Sequence, residues 1–166
     1  AQAEVAPIAY ELDQKAEFPS ELYLKMNREI GIASIPFKEE HGGLGLGILD
    51  MSLAIEELAR ADQTLALTTM VAVATGLTLQ SFGSPLLKEK YLPDIVAGKA
   101  IGSIAGTEPQ AGSWTAGFKS RAEKVGGNNW SISGEKAFIT NSGADITSYN
   151  LVCAVTSPKD VEKTSM

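Results

Sequence analysis

The chain has 166 residues, 44% of them hydrophobic, with 20 acidic against 14 basic side chains and a formal net charge of -6. That apolar share suffices for a buried core in one domain or two small ones, and the acidic balance speaks against a nucleic-acid partner, whose phosphates need a basic surface. No run reaches the roughly 18 consecutive apolar residues of a membrane span, and the first residues lack a basic segment followed by an apolar one, so neither a membrane span nor secretion is expected.

Up to about residue 100 apolar residues recur at helical spacing. The pattern predicts helices over residues 3–15, 20–29, 49–60, 64–82 and 85–97. In the third, Met51, Ile55, Leu58 and Ala59 line one face. The fourth is almost wholly apolar or small and should be buried on most sides. Gly83-Ser84-Pro85 stops it, Pro85 suits the first turn of the next helix, and Gly98 ends that one. Beyond residue 100 the pattern turns to strands, predicted over 101–105, 119–125, 130–139 and 149–156, with Gly126-Gly127-Asn128-Asn129 as a hairpin turn. The expected class is α+β: an all-helical domain over residues 1–99, then an antiparallel β domain over 100–166. Cys153 is the only cysteine, which excludes an internal disulfide, and Leu151-Val152-Cys153-Ala154-Val155 reads as a buried strand. Thr147 falls in the predicted loop before that strand.

Two clusters invite a site and do not support one. Gly42-Gly43-Leu44-Gly45-Leu46-Gly47 lacks the G-x-G-x-x-G spacing and follows Lys38-Glu39-Glu40-His41 rather than a buried strand, so these glycines read as a connection between helices. His41 is the only histidine and has no companion motif for a triad or a metal, so it reads as a loop residue.

Thr107-Glu108-Pro109-Gln110-Ala111-Gly112-Ser113 is different. It closes an apolar strand, Pro109 removes one backbone donor, and Gly112 permits close approach of a ligand. Further on, Gly134-Glu135-Lys136-Ala137-Phe138-Ile139-Thr140-Asn141 lies on the third predicted strand, where period two puts Phe138 and Thr140 on one face. An aromatic ring beside a hydroxyl suits a planar, hydrogen-bonding heterocycle.

These two runs resemble the TEPxAGS and K-x-[FW]-I-T-N elements of the acyl-CoA dehydrogenase flavoproteins. Glu39-Glu40-His41-Gly42-Gly43-Leu44-Gly45, Glu56-Glu57-Leu58-Ala59-Arg60-Ala61-Asp62, Phe82-Gly83-Ser84 and Lys90-Tyr91-Leu92-Pro93 follow the same family's order. The resemblance implies a helical domain followed by a β domain and, in the family, a C-terminal helical bundle, which is absent from this sequence; the β domain is itself cut short. It implies FAD as cofactor, contacted at Ile104, Ala105, Gly106 and Thr107 along the strand end, at Ser113, and at Phe138, Ile139 and Thr140 behind the isoalloxazine. It implies acyl-CoA as substrate, with Ser113 near its CoA portion and Thr68 and Thr69 near the acyl chain. The implied reaction is oxidation of an acyl-CoA thioester to the trans-2-enoyl-CoA, reoxidation by an electron-transfer flavoprotein, and a homo-oligomer, tetramer or dimer, in the bacterial cytoplasm or mitochondrial matrix.

The family's carboxylate base lies in the C-terminal bundle, so no catalytic residue is assigned within this chain and the isolated chain is expected to be inactive. A flavin-dependent oxidase or monooxygenase of the same architecture, or a non-catalytic interaction module, are the other readings. Gly106, Gln110 and Trp114 depart from the family pattern, which carries a bulky apolar residue, a small or acidic one, and Asp or Asn at those places.

Overall fold

The structure, a computed structural model, describes residues 1–156. The chain divides into two compact units. The first holds Ala1–Ser103 together with Asn141–Tyr149; the second holds Ile104–Thr140 and, of the described residues, also 150–156. The expected break at residue 100 thus omits a return, since residues 141–149 rejoin the helical unit. The last residues of the expected β domain, 157–166, lie outside the described residues.

The five expected helices of the first unit are α1 (Ala6–Lys15), α2 (Ser20–Glu29), α3 (Ile48–Ala59), α4 (Gln63–Phe82) and α5 (Pro85–Val96). Asp62 starts α4 by accepting the Leu65 N–H at 2.6 Å, and Ser84 starts α5 by accepting the Leu87 N–H at 3.4 Å. Gly98, with φ +64°, turns the chain away after α5. The expected apolar face of α3 is realised by Met51, Ile55 and Leu58, whereas Ala59 is exposed.

Helix α4 is long and apolar enough to cross a membrane by length and composition, but it is the spine of this unit. Leu65, Ala66 and Ala72 pack with Tyr23, Met26 and Ile101, while Val73 and Leu79 pack with Phe37, Leu92 and Ile95. Gly76 allows a close approach to α4: a Cβ there would stand 2.5 Å from Phe37 Cζ and 2.8 Å from Ile95 Cγ2. The glycine loop is likewise packing. A Cβ at Gly43 would lie 2.1 Å from the Phe37 carbonyl oxygen, and Gly42 and Gly45 take φ values of +84° and +65°.

Four strands follow: β1 (Ile101–Ala105), β2 (Arg121–Gly126), β3 (Asn129–Ser133) and β4 (Thr147–Val152). β1 pairs with β4, and β2 with β3 as an antiparallel hairpin whose register runs from Arg121 opposite Ser133 to Lys124 opposite Trp130. The third strand is therefore shorter than its pattern predicts. It ends at Ser133, Gly134 takes φ +150° where a Cβ would strike Ser120 Oγ at 2.3 Å, and residues 134–140 are irregular. Phe138 has φ +58°, so Phe138 and Thr140 are not alternate residues of one pleat. β4 opens at Thr147, two residues before the predicted start, and Cys153 beyond its end is exposed rather than buried.

Gly76→Val should be overpacked against Phe37 and Ile95, lowering the unfolding free energy by about 1–3 kcal/mol. Asp62→Ala, which removes a helix cap only, should cost about 1 kcal/mol. Urea titrations followed by far-UV circular dichroism rank the two, and equal midpoints for wild type and Gly76→Val would contradict this packing.

Candidate functional site

The predicted cofactor residues all lie in the second unit, and Glu108 organises them. Its side chain is 2% exposed. A carboxylate so far from water must be charge-paired and hydrogen-bonded, and Glu108 receives four donors. Oε1 accepts from the Ser120 N–H at 2.9 Å and from Lys136 Nζ at 2.9 Å; Oε2 accepts from the Lys119 N–H at 2.6 Å and from Gln110 Nε2 at 2.6 Å. Burial works to raise its pKa, and the hydrogen bonds from Lys119, Ser120 and Lys136 outweigh that, holding the carboxyl well below the usual carboxylate range. Glu108 is an ionised structural anchor with no lone pair left for proton abstraction.

Lys136 completes the anchor. Its ammonium also donates to the Gly106 carbonyl at 2.8 Å and lies 4.4 Å from the centre of the Phe118 ring. One residue on, the Ala137 N–H donates to the Thr107 carbonyl at 3.0 Å. The two motifs, about thirty residues apart in sequence, are thereby joined through Gly106, Thr107 and Glu108 on one side and Lys136 and Ala137 on the other. The turn itself is closed by paired bonds, Glu108 N–H to Ala111 O at 2.8 Å and Ala111 N–H to Glu108 O at 3.1 Å.

This scaffold presents an unusual surface. Phe138 is 93% exposed and holds a left-handed backbone that non-glycine residues seldom adopt. Ile104, on β1, is also exposed. Among the described residues the hydroxyls of Thr107, Ser113 and Thr140 have no hydrogen-bond partner. A Cβ on Gly106 would meet nothing within 4 Å, and one on Gly112 only Thr107 Cγ2 at 4.0 Å, so the backbone here stands open to a ligand. An exposed apolar ring, hydroxyls and accessible backbone are the kinds of group that can face a planar, hydrogen-bonding heterocycle. Ala105 is buried, and Ile139 is partly buried.

Thr68 and Thr69 sit elsewhere, on α4 in the first unit. Both are buried, and Thr69 Oγ1 donates to the Leu65 carbonyl at 2.8 Å. Also in the first unit, the Asn141 side chain donates to the Thr68 and Gly102 carbonyls, each at 3.1 Å, and Thr147 Oγ1 donates to the Asn141 carbonyl. Asn141, with φ +69°, anchors the end of the second motif; its role escapes the pattern of the sequence because its partners lie 73 and 39 residues away. Thr147 is thus a bonded strand residue rather than a loop one.

Two of the three departures from the family pattern have a visible local setting. Gln110 bridges Glu108 and the Gly117 carbonyl. Trp114 is 68% exposed and lies on Gly117, where a Cβ would stand 2.5 Å from its Cε3. Nothing in the structure explains the glycine at 106.

Residues 1–99 match the family model for the N-terminal domain of acyl-CoA dehydrogenases. The chain belongs to the acyl-CoA dehydrogenase family. It is 39% identical over 143 residues to a probable acyl-CoA dehydrogenase of Bacillus subtilis, covering 86% of this chain and 37% of that one. Among solved structures, butyryl-CoA dehydrogenase of Megasphaera elsdenii superposes with a TM-score of 0.86 at 32% identity, over 95% of this chain and 42% of that one. A glutaryl-CoA dehydrogenase of Mycobacterium smegmatis in complex with FADH2 superposes with a TM-score of 0.85 at 28% identity, over 94% and 39%. The chain spans about two fifths of the length of such relatives.

Since the folded Glu108 carboxyl titrates below the unfolded one, the unfolded chain takes up that proton first as pH falls. Its contribution to stability should therefore be complete above the unfolded value of about 4.3 and be lost progressively below it. Glu108→Gln, which leaves the Lys136 ammonium without its counter-charge, should cost about 3–5 kcal/mol at pH 7 and flatten the acid limb. Denaturant midpoints measured from pH 7 to pH 3 would contradict this if both proteins lost stability in parallel.

Proposed function

We propose that this chain supplies the flavin-facing wall of an enzyme that oxidises an acyl-CoA thioester to the trans-2-enoyl-CoA. The observation that carries the reading is Phe138: a 93% exposed aromatic ring on a left-handed backbone, two residues before Thr140 and next to Ala137, whose N–H bonds the Thr107 carbonyl. Covering such a ring with a flat ligand contributes up to about 3 kcal/mol, which offsets the cost of holding it in water. The resemblance of both motifs to those of flavoprotein relatives, one of them solved with FADH2, supports the same ligand.

In this reading Ile104, Ala105, Gly106 and Thr107 offer the strand end to FAD, and Phe138, Ile139 and Thr140 back its ring system. Ser113, exposed at the open turn, faces the pyrophosphate or the CoA portion of the substrate. FAD, when bound, supplies the acceptor for the hydride leaving the β-carbon. The chain's own residues orient that ring, exclude water from one face of it through Phe138 and Ile104, and tune it through hydroxyl and backbone hydrogen bonds. The α-proton goes to a base that is not among these residues. Thr68 and Thr69, both buried on α4, belong to the acyl-chain side of the same proposal. Reoxidation by an electron-transfer flavoprotein and assembly into a homo-oligomer belong to the same proposal for the whole protein.

In the full-length protein, Phe138→Ala should raise the FAD dissociation constant roughly tenfold, about 1.4 kcal/mol. Thr140→Ala, losing one hydrogen bond, should cost about 1 kcal/mol. Fluorescence titration of the apoprotein with FAD measures both, and wild-type affinity in the two variants would remove the wall from the site. Dye-linked turnover of butyryl-CoA by the isolated 166-residue chain should be absent.

A further inference from the structure

The strained segment that carries Phe138 and Thr140 has no strand pairing of its own to hold it. β3 stops at Ser133, and residues 134–140 follow an irregular course. What fixes the segment at its start is a buried ion pair: Lys136 Nζ to Glu108 Oε1 at 2.9 Å, the two side chains being 12% and 2% exposed. The same ammonium holds the Gly106 carbonyl, and the adjoining Ala137 N–H holds the Thr107 carbonyl. An ion pair this deep gains little net stability over an apolar pair of similar shape, because desolvation consumes most of the Coulomb attraction. Its use lies in specificity of geometry. Lys136 has donors for Glu108, for Gly106 and for the face of Phe118 at once, so its position is over-determined, and Phe138 follows only two residues later.

We infer that the Lys136–Glu108 pair is a positioning device, which fixes the left-handed backbone at Phe138 and thereby sets the affinity of the flavin wall. This rests on the function proposed above. Neither residue touches the ligand in this account; both act through the placement of Phe138 and Thr140. A positioning role requires that removing Lys136 and removing the Phe138 ring affect the same quantity, so their effects must be less than additive.

The test uses the full-length protein and FAD itself, titrated into apoprotein, with folding checked by circular dichroism. Lys136→Met should raise the FAD dissociation constant at least tenfold while the protein remains folded at the assay temperature. Lys136→Arg, which keeps the charge, should recover most of that loss. Lys136→Met combined with Phe138→Ala should be no more than about threefold worse than Phe138→Ala alone. If Lys136→Met does not fold, Lys136→Gln takes its place, retaining a donor for Gly106. Wild-type affinity in the Lys136 variant, full additivity in the double variant, or failure of both Lys136→Met and Lys136→Gln to fold overturns the inference. A change with Phe138→Ala but none with Lys136→Met sinks the positioning role and leaves the flavin wall standing; no change with Phe138→Ala sinks the wall itself.

Discussion

The carboxylate of Glu108 is the point on which the second unit depends. It is almost fully removed from water, and a lone buried carboxylate costs several kcal/mol. The chain meets that cost with donors drawn from three stretches: Gln110 in its own turn, the Lys119 and Ser120 amides before β2, and Lys136 after β3. Satisfying one charge therefore dictates where the turn, the hairpin and the irregular segment meet. Because a half-satisfied buried network is worse than none, the arrangement tolerates little drift, and the exposed surface it carries inherits that rigidity.

That surface is locally unfavourable. A phenylalanine in water with φ +58° gains nothing from packing and sits in a sparsely populated backbone region. Such outliers persist only where their surroundings over-determine them, and here Lys136, bonded to Glu108 and to the Gly106 carbonyl, lies two residues before Phe138. Rigid anchors around an unpacked aromatic are what a preorganised ligand platform needs, because little ordering remains to be done on binding.

The helices were legible in the sequence because their physics is local. Apolar spacing marked α3 and α4, Pro85 opened α5, and Gly98 ended it. The two motifs were legible through resemblance. What periodicity missed were long-range choices. Alternation carried the third strand through residue 139, yet the chain leaves the pleat at Gly134, where Ser120 leaves no room for a Cβ and φ is positive. Cys153 read as buried from its apolar neighbours, yet although its N–H still bonds the Ala105 carbonyl its side chain is exposed. Glu108 read as a turn residue and Lys136 as a motif letter; their pairing across 28 residues leaves no trace in spacing. Thr68 and Thr69 were named from the family's helix, and both are buried on α4.

Amide hydrogen exchange at pH 7 tests the central claim, that one buried carboxylate welds the two motifs together. In wild type the Lys119, Ser120 and Ala137 amides should exchange slowly and with similar protection, although only the first two bond to Glu108. In Glu108→Gln all three should speed up by roughly a hundredfold, the equivalent of about 2.8 kcal/mol. Retention of Ala137 protection while Lys119 and Ser120 lose theirs would contradict the account, because the second motif would then hold its place without the first.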